Sequence, residues 1–227
     1  MTSIAENICS VIEQIQRVEQ RYQRGKNAVS LLAVSKQQDA SRIRAAYAAG
    51  VRNFGENYLQ EAEQKITALR DLDICWHFIG PIQTNKTRGI AALFSWVHSI
   101  EREKVARRLS EQRDPALGPI NVCVQINLSM EASKSGVTLT ESQQLCQVIS
   151  TLPNLRLRGL MAIPAPSSEF AAQLEGFQQL SATYTELARQ FPTMDTLSMG
   201  MSNDFEAAIA AGSTMVRIGS ALFGART

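Results

Sequence analysis

The sequence predicts an α/β protein of the (β/α)8 TIM-barrel type, with one extra helix ahead of the first strand. Three observations predict it. Short apolar segments alternate with helix-length segments along the whole chain, and strand–helix alternation implies a parallel sheet. Eight such strand segments in 227 residues match a closed barrel. No Gly-x-Gly-x-x-Gly follows the first strand, which weighs against an open doubly wound sheet, the main competitor.

Taken in order, the chain opens on an amphipathic helix. Ile4, Ile8, Val11, Ile12, Ile15 and Val18 recur every three or four residues. Gly25 ends this helix or marks the turn after it, and the helix is expected to pack on the outside or the bottom of the barrel. The strand segments are Ser30–Ser35, Arg52–Gly55, Trp76–Gly80, Trp96–Ile100, Ile120–Asn127, Leu157–Ile163, Thr196–Met199 and Met215–Ile218. Residues 29–34 and 121–126 are nearly continuous apolar runs, as strands covered on both faces require. Helices are expected over Ala40–Ala49, Glu56–Leu69, Thr84–Phe94, Arg102–Gln112, Glu141–Leu152, Phe170–Gln190 and Phe205–Ala211. The Pro-containing loops at 114–119 and 164–168 are short and no linker interrupts the pattern, so residues 1–227 read as one domain.

Composition narrows the function. A net charge of +2 argues against nucleic acid or an acidic membrane surface as partner. Cys9, Cys75, Cys123 and Cys146 lie far apart without a Cys-x-x-Cys pair, so neither a zinc site nor a thioredoxin motif is expected. Such cysteine usage suits a reducing cytosol. The first twenty residues hold Glu6, Glu13 and Glu19 and no apolar core of a signal peptide, and no apolar run approaches the roughly 20 residues of a membrane helix. A cytoplasmic protein is expected.

In a barrel of this type the chemistry gathers at the C-terminal ends of the strands. The first strand ends in Ser35-Lys36. At the rim of an apolar interior, desolvation favours the neutral amine that attacks a carbonyl; the alternative is a lysine that snorkels out of a strand end. The second ends in Gly55-Glu56-Asn57, where Asn57 either meets a ligand or opens the next helix as a cap. His77, on the third, is a ligand contact or a satisfied core histidine. Met161, on the sixth, packs against a flat ring or belongs to the core. After the seventh strand comes Ser198-Met199-Gly200-Met201-Ser202, and after the eighth Ile218-Gly219-Ser220. These two loops are the common phosphate site of the fold, and the backbone N–H groups near Ser202, Gly219 and Ser220 suit an anion. Arg217 lies within a strand that should be buried, and a buried guanidinium wants an acceptor inside the barrel. An amine, an anion site and an inward arginine would together hold a phosphorylated aldehyde covalently, and pyridoxal 5′-phosphate (PLP) is the commonest such cofactor.

Several segments carry a resemblance. Leu31-Leu32-Ala33-Val34-Ser35-Lys36, Phe54-Gly55-Glu56-Asn57-Tyr58, Trp76 to Lys86, Gly159-Leu160-Met161-Ala162-Ile163, Ser198 to Asp204 and Ala208 to Gly224 closely resemble the PLP homeostasis proteins, also called the YggS or proline-synthase co-transcribed family. The resemblance covers nearly the whole chain. It implies a fold-type III PLP barrel like the N-terminal domain of alanine racemase, with the Schiff base on Lys36 and Arg217 against the pyridine nitrogen. It places Asn57 and His77 near the ring, Met161 beside it, and the phosphate on the Ser198–Ser202 and Gly219-Ser220 segments. Lys134 matches a loop lysine associated with PLP exchange. Many members read Ser-Lys-Thr-Lys-Pro where this chain reads Ser35-Lys36-Gln37-Gln38-Asp39, so the second lysine is absent.

Two functions are then open. One is a PLP carrier, monomeric, that buffers the cofactor or delivers it to apo-enzymes without turnover. The other is an amino-acid racemase or related PLP enzyme. Racemisation needs a second acid/base opposite Lys36. Barrel racemases take a Tyr from a further β-domain, which this sequence, ending soon after the eighth strand, does not contain. Tyr22, Tyr47, Tyr58 and Tyr184 all fall in helical stretches, so the carrier is expected, with no catalytic residue and no metal ligand.

Overall fold

The computed structural model describes residues 3–128 and 135–224. Lys134 and most of the 129–135 loop lie outside the described residues.

Helix α1 (Ile4–Arg21) starts on a capping box in which Ser3 and Glu6 satisfy each other's backbone N–H groups. It ends at Arg21, so Gly25 belongs to the turn that follows. Its buried stripe of Ile8, Val11 and Ile15 confirms the periodicity. Glu19, also buried, accepts the N–H of Val29 (2.8 Å) and ties the helix to the start of the first strand.

The alternation then runs β1 (Ser30–Val34), α2 (Ala40–Ala48), β2 (Asn53–Glu56), α3 (Leu59–Ala68), β3 (Cys75–Phe78), α4 (Thr87–Leu93), β4 (Trp96–Ile100), α5 (Glu103–Gln112), β5 (Ile120–Ile126), α6 (Leu139–Ser150), β6 (Leu155–Ala162), α7 (Phe170–Gln190), β7 (Thr196–Ser198), α8 (Phe205–Ala210), β8 (Met215–Ile218) and α9 (Ser220–Phe223). The strands pair in that order, all parallel, and β8 returns to β1 with Ser30 opposite Met215 and Ala33 opposite Ile218. The expected closed barrel is therefore present. Helix α1 packs on its outside against α2, α8 and α9, across the β8–β1 seam.

Strand ends shift by at most two residues from expectation, and the helical segments differ most in four places. Glu56 belongs to β2 and is fully buried, so α3 begins three residues later, at Leu59, and neither Glu56 nor Asn57 caps it. The segment expected as one helix from Thr84 splits into a 3-10 turn, Thr84–Lys86, and α4. Helix α6 starts at Leu139 because Thr138 and Glu141 form a capping box. Helix α9, four residues long, was not expected. Among the described residues no helix is long and apolar enough to cross a membrane, and no cluster of His, Cys, Asp and Glu is arranged to hold a metal.

Candidate cofactor site at the C-terminal mouth of the barrel

A cavity of about 370 Å³ opens at the C-terminal ends of the strands, within the range of small-molecule sites. Lys36, Asn57, Ser202, Arg217, Gly219 and Ser220 line it, so six of the ten residues expected in the site converge there. Asp204 also lines it, with Gln38, Asn203 and Ile163, which sequence reasoning did not single out.

Lys36 occupies the first central position of a four-residue turn closed by Gln38 N–H donating to Ser35 O (3.0 Å). Gln37, the second central residue, has φ 61°, the left-handed region that this turn type demands and that Gly or Asn usually fills. The opposite wall is backbone. Among the described residues, the N–H groups of Ser202, Asn203, Gly219 and Ser220 have no backbone acceptor. Gly200 (φ 95°) turns the chain into this wall from beneath, and its carbonyl accepts the N–H of Arg217 (2.9 Å).

Arg217 forms the floor, 4% exposed. Its Nη1 donates to Ser198 O (2.6 Å) and Ser198 Oγ (2.9 Å), and its Nη2 to Ala162 O (2.8 Å). All three acceptors are neutral. Burial pushes the guanidinium down to about 10, with Asp204 pulling it back, so it remains a cation at neutral pH. A buried cation held only by neutral acceptors can still serve an acceptor from the cavity.

The other four expected residues are buried and do not line the cavity: His77, Met161 and Ser198 are strand residues, and Gly200 lies in the loop after β7, packed towards α8. Ser198 is the acceptor just described, and Met161, fully buried, stands beside it in register. His77, also fully buried, does not line the cavity. It belongs instead to a chain of hydrogen bonds: Ser198 Oγ to His98 Nδ1 (3.0 Å), His98 Nε2 to His77 Nδ1 (2.9 Å), and His77 Nε2 to Asn53 Oδ1 (3.1 Å). Asn53 Oδ1 only accepts, so His77 donates to it from Nε2 and, as a neutral imidazole, accepts at Nδ1 from His98 Nε2. His98 in turn accepts at Nδ1 from the Ser198 hydroxyl, whose oxygen also accepts from Arg217. One tautomer satisfies the whole chain with both imidazoles neutral. Burial pushes His77 down to about 3; burial, then the charges of His77 and Arg217, hold His98 well below the usual histidine range. Both ring nitrogens of His77 are thus engaged in the interior, and His98 and Asn53 are partners that only the fold reveals.

A second buried group lies behind Lys36. Lys65 Nζ donates to Ser35 O (2.6 Å), Glu56 Oε1 (2.8 Å) and Glu61 Oε1 (2.5 Å), and Ser35 Oγ donates to Glu56 Oε1 (2.6 Å). Helical spacing of Glu61 and Lys65 was the only hint of this cluster in the sequence.

Residues 9–227 match the family described as "Alanine racemase, N-terminal domain". The chain is 56% identical over 226 residues to the pyridoxal phosphate homeostasis protein of Pseudomonas aeruginosa, covering 100% of this chain and 97% of that one. It is 51% identical to the protein of the same name in Escherichia coli, covering 100% and 98%. Among solved structures it is similar to PipY of Synechococcus elongatus with PLP bound, with a TM-score of 0.85 at 35% identity, over 98% of this chain and 100% of that one.

Proposed function

This chain belongs to the alanine racemase N-terminal domain family and, within it, to the pyridoxal phosphate homeostasis proteins, and we propose that it binds PLP through a Schiff base on Lys36 and buffers or delivers that cofactor in the cytoplasm without catalytic turnover. The observation that carries the reading is one cavity with an amine, a neutral-held guanidinium and a wall of unpaired backbone N–H groups on its lining.

The residues fit the group. Lys36 supplies the amine. Ser202, Gly219 and Ser220 would hold the phosphate, with Gly219 leaving the chain close to Val34 O, where a Cβ would approach to 3.3 Å. Arg217, locked as a donor by Ser198 and Ala162, would present a hydrogen bond to the ring nitrogen and so leave that nitrogen unprotonated. Asn57 would border the ring, while Met161, Ser198 and Gly200 would support the floor from below and His77 would act through His98. When bound, the cofactor supplies an aldehyde and an electron-withdrawing ring; a ring without its proton is a poorer electron sink.

Absence of turnover is supported by the titratable side chains on the lining. Among the described residues these are Lys36, Asp204 and Arg217. Arg217 does not release its proton, and Asp204 Oδ1 is engaged by the N–H of Met201 (2.5 Å). Tyr58, the tyrosine nearest a strand end, is exposed outside the cavity. The same reading takes the protein as a monomer of one domain, residues 1–227, whose partners in delivery are PLP-accepting apo-enzymes.

The test is an absorbance spectrum of the purified protein with PLP, for wild type and Lys36→Ala, followed by borohydride reduction and peptide mapping. The expected result is a visible band in the wild type alone and a single labelled peptide containing Lys36. Label on Lys86 in place of Lys36 would overturn the assignment. Incubation with individual L-amino acids should yield no D-isomer.

A further inference from the structure

We infer that Lys65, with the two carboxylates it joins, Glu56 and Glu61, positions the Lys36-bearing turn so that the Lys36 amine meets an aldehyde in the cavity. The inference rests on the Lys36 reading above and adds three residues that do not line the cavity.

The cluster grips the turn on both sides of Lys36. Before it, Ser35 is held at its carbonyl by Lys65 Nζ (2.6 Å) and at its hydroxyl by Glu56 Oε1 (2.6 Å). After it, the N–H of Gln37 donates to Glu61 Oε1, the same oxygen that Lys65 engages. Every donor of the Lys65 ammonium is used, one each on Ser35, Glu56 and Glu61. The residue so gripped, Gln37, is in a left-handed conformation that a side chain rarely adopts and that persists only where surroundings over-determine it. Lys36, between the two grips, has its side chain on the cavity lining.

Stability alone does not account for the arrangement. Glu56 is fully buried, and its Oε2 has no partner among the described residues. Burial raises the Glu56 carboxyl above its usual range, and Lys65 only partly offsets this. Two carboxylates around one buried ammonium cost desolvation that well-packed apolar residues would avoid. What apolar residues would not do is fix a carbonyl, a hydroxyl and an N–H within three successive residues. The bond that the turn serves forms between the amine nitrogen and the aldehyde carbon, with one water released and no oxidant needed. Such a condensation is sensitive to where the nitrogen stands.

The experiment compares two probes on the apo protein: PLP, and pyridoxine 5′-phosphate, which keeps ring and phosphate but carries an alcohol in place of the aldehyde. Wild type should prefer PLP, since only PLP condenses. Lys65→Met should cut that preference by roughly ten- to a hundredfold while the affinity for pyridoxine 5′-phosphate stays unchanged. Glu61→Ala, at a half-buried position where folding is less at risk, should lower the preference in the same direction, and Glu61→Gln, which keeps an acceptor for Gln37, should restore it. In the apo protein, hydrogen exchange at Gln37 and Gln38 should quicken in Lys65→Met. Equal losses for both probes would make the cluster a scaffold and overturn the inference, as would an unchanged preference. If wild type itself binds the two probes equally, the covalent role of Lys36 fails first and this inference with it; if wild type prefers PLP and the variants keep that preference, this inference alone fails.

Discussion

The interior beneath Arg217 shows how a few side chains order one another. Asn53 Oδ1 only accepts and Arg217 only donates, and between these ends the neutral His77 and His98 each take one tautomer while the Ser198 hydroxyl donates to His98. The two histidines make a testable pH dependence. Folding keeps both imidazoles neutral, with His77 lowered from 6.5 to about 3, whereas in the unfolded chain they take up protons below about 6.5. The unfolded state therefore binds more protons through the acidic range, and stability falls as pH drops below about 6.5 towards about 3. The limiting slope is about 1.4 kcal/mol per pH unit for each histidine. Glu56 and Asp204, raised by burial, oppose this trend at the acidic end. The measurement is therefore urea unfolding between pH 7 and 5.5 for wild type and His77→Gln, with the variant expected to lose about half the slope. Equal slopes in the two proteins, or an imidazolium signal from the native protein by ¹⁵N NMR at pH 6, would contradict the neutral chain.

At the scale of elements, the loop between β7 and α8 is set by a glycine. A Cβ on Gly200 would stand 2.6 Å from the Cβ of Ala208 and 3.1 Å from the Cα of Phe205, on backbone at φ 95°. Gly200→Ala must therefore push α8 off the barrel while straining the loop, at a cost of roughly 2–5 kcal/mol. Because the same loop carries Ser202 and receives the N–H of Arg217, PLP affinity should fall with stability. Ser202→Ala is the companion variant: it keeps the backbone N–H but removes the hydroxyl as a further donor to the phosphate, about 1 kcal/mol of affinity, and leaves unfolding nearly unchanged. Denaturation and PLP titration on both variants check this, and a Gly200→Ala protein as stable as wild type would refute the packing argument.

At the scale of the molecule, the barrel is closed by strands from opposite ends of the chain. Ser30 to Ala33 of β1 pair with Met215 to Ile218 of β8, and α1 packs across that seam against α8 and α9. Neither end can leave without exposing unpaired strand edges, so unfolding should be a single cooperative transition. The cavity draws its lining from the ends of β1, β2, β3, β6, β7 and β8, on both sides of the closing seam, so PLP should stabilise that same transition, by about 2.7 kcal/mol at a concentration a hundredfold above Kd. Calorimetry with and without PLP checks both points. Two separate transitions, or a shift confined to one of them, would contradict the closed unit.

The sequence by itself determined the architecture and six of the residues on the cavity lining. Strand–helix alternation is a local signal, because each apolar run must be covered on both faces, and eight repeats of it leave few ways to close a sheet. Strand ends could be read in turn, so Lys36, Asn57, Ser202, Arg217, Gly219 and Ser220 were legible before any coordinates. The tertiary structure alone decided depth and partnership. His77, Met161 and Ser198 look from the sequence like neighbours of the site, yet they are buried off its lining, because which layer of the barrel a side chain fills depends on strand stagger and not on spacing along the chain. The Lys65 cluster and the Asn53–His77–His98–Ser198 chain join residues from different strands and helices. Their energetics depend on burial, and burial of a polar group is decided only when the barrel closes around it.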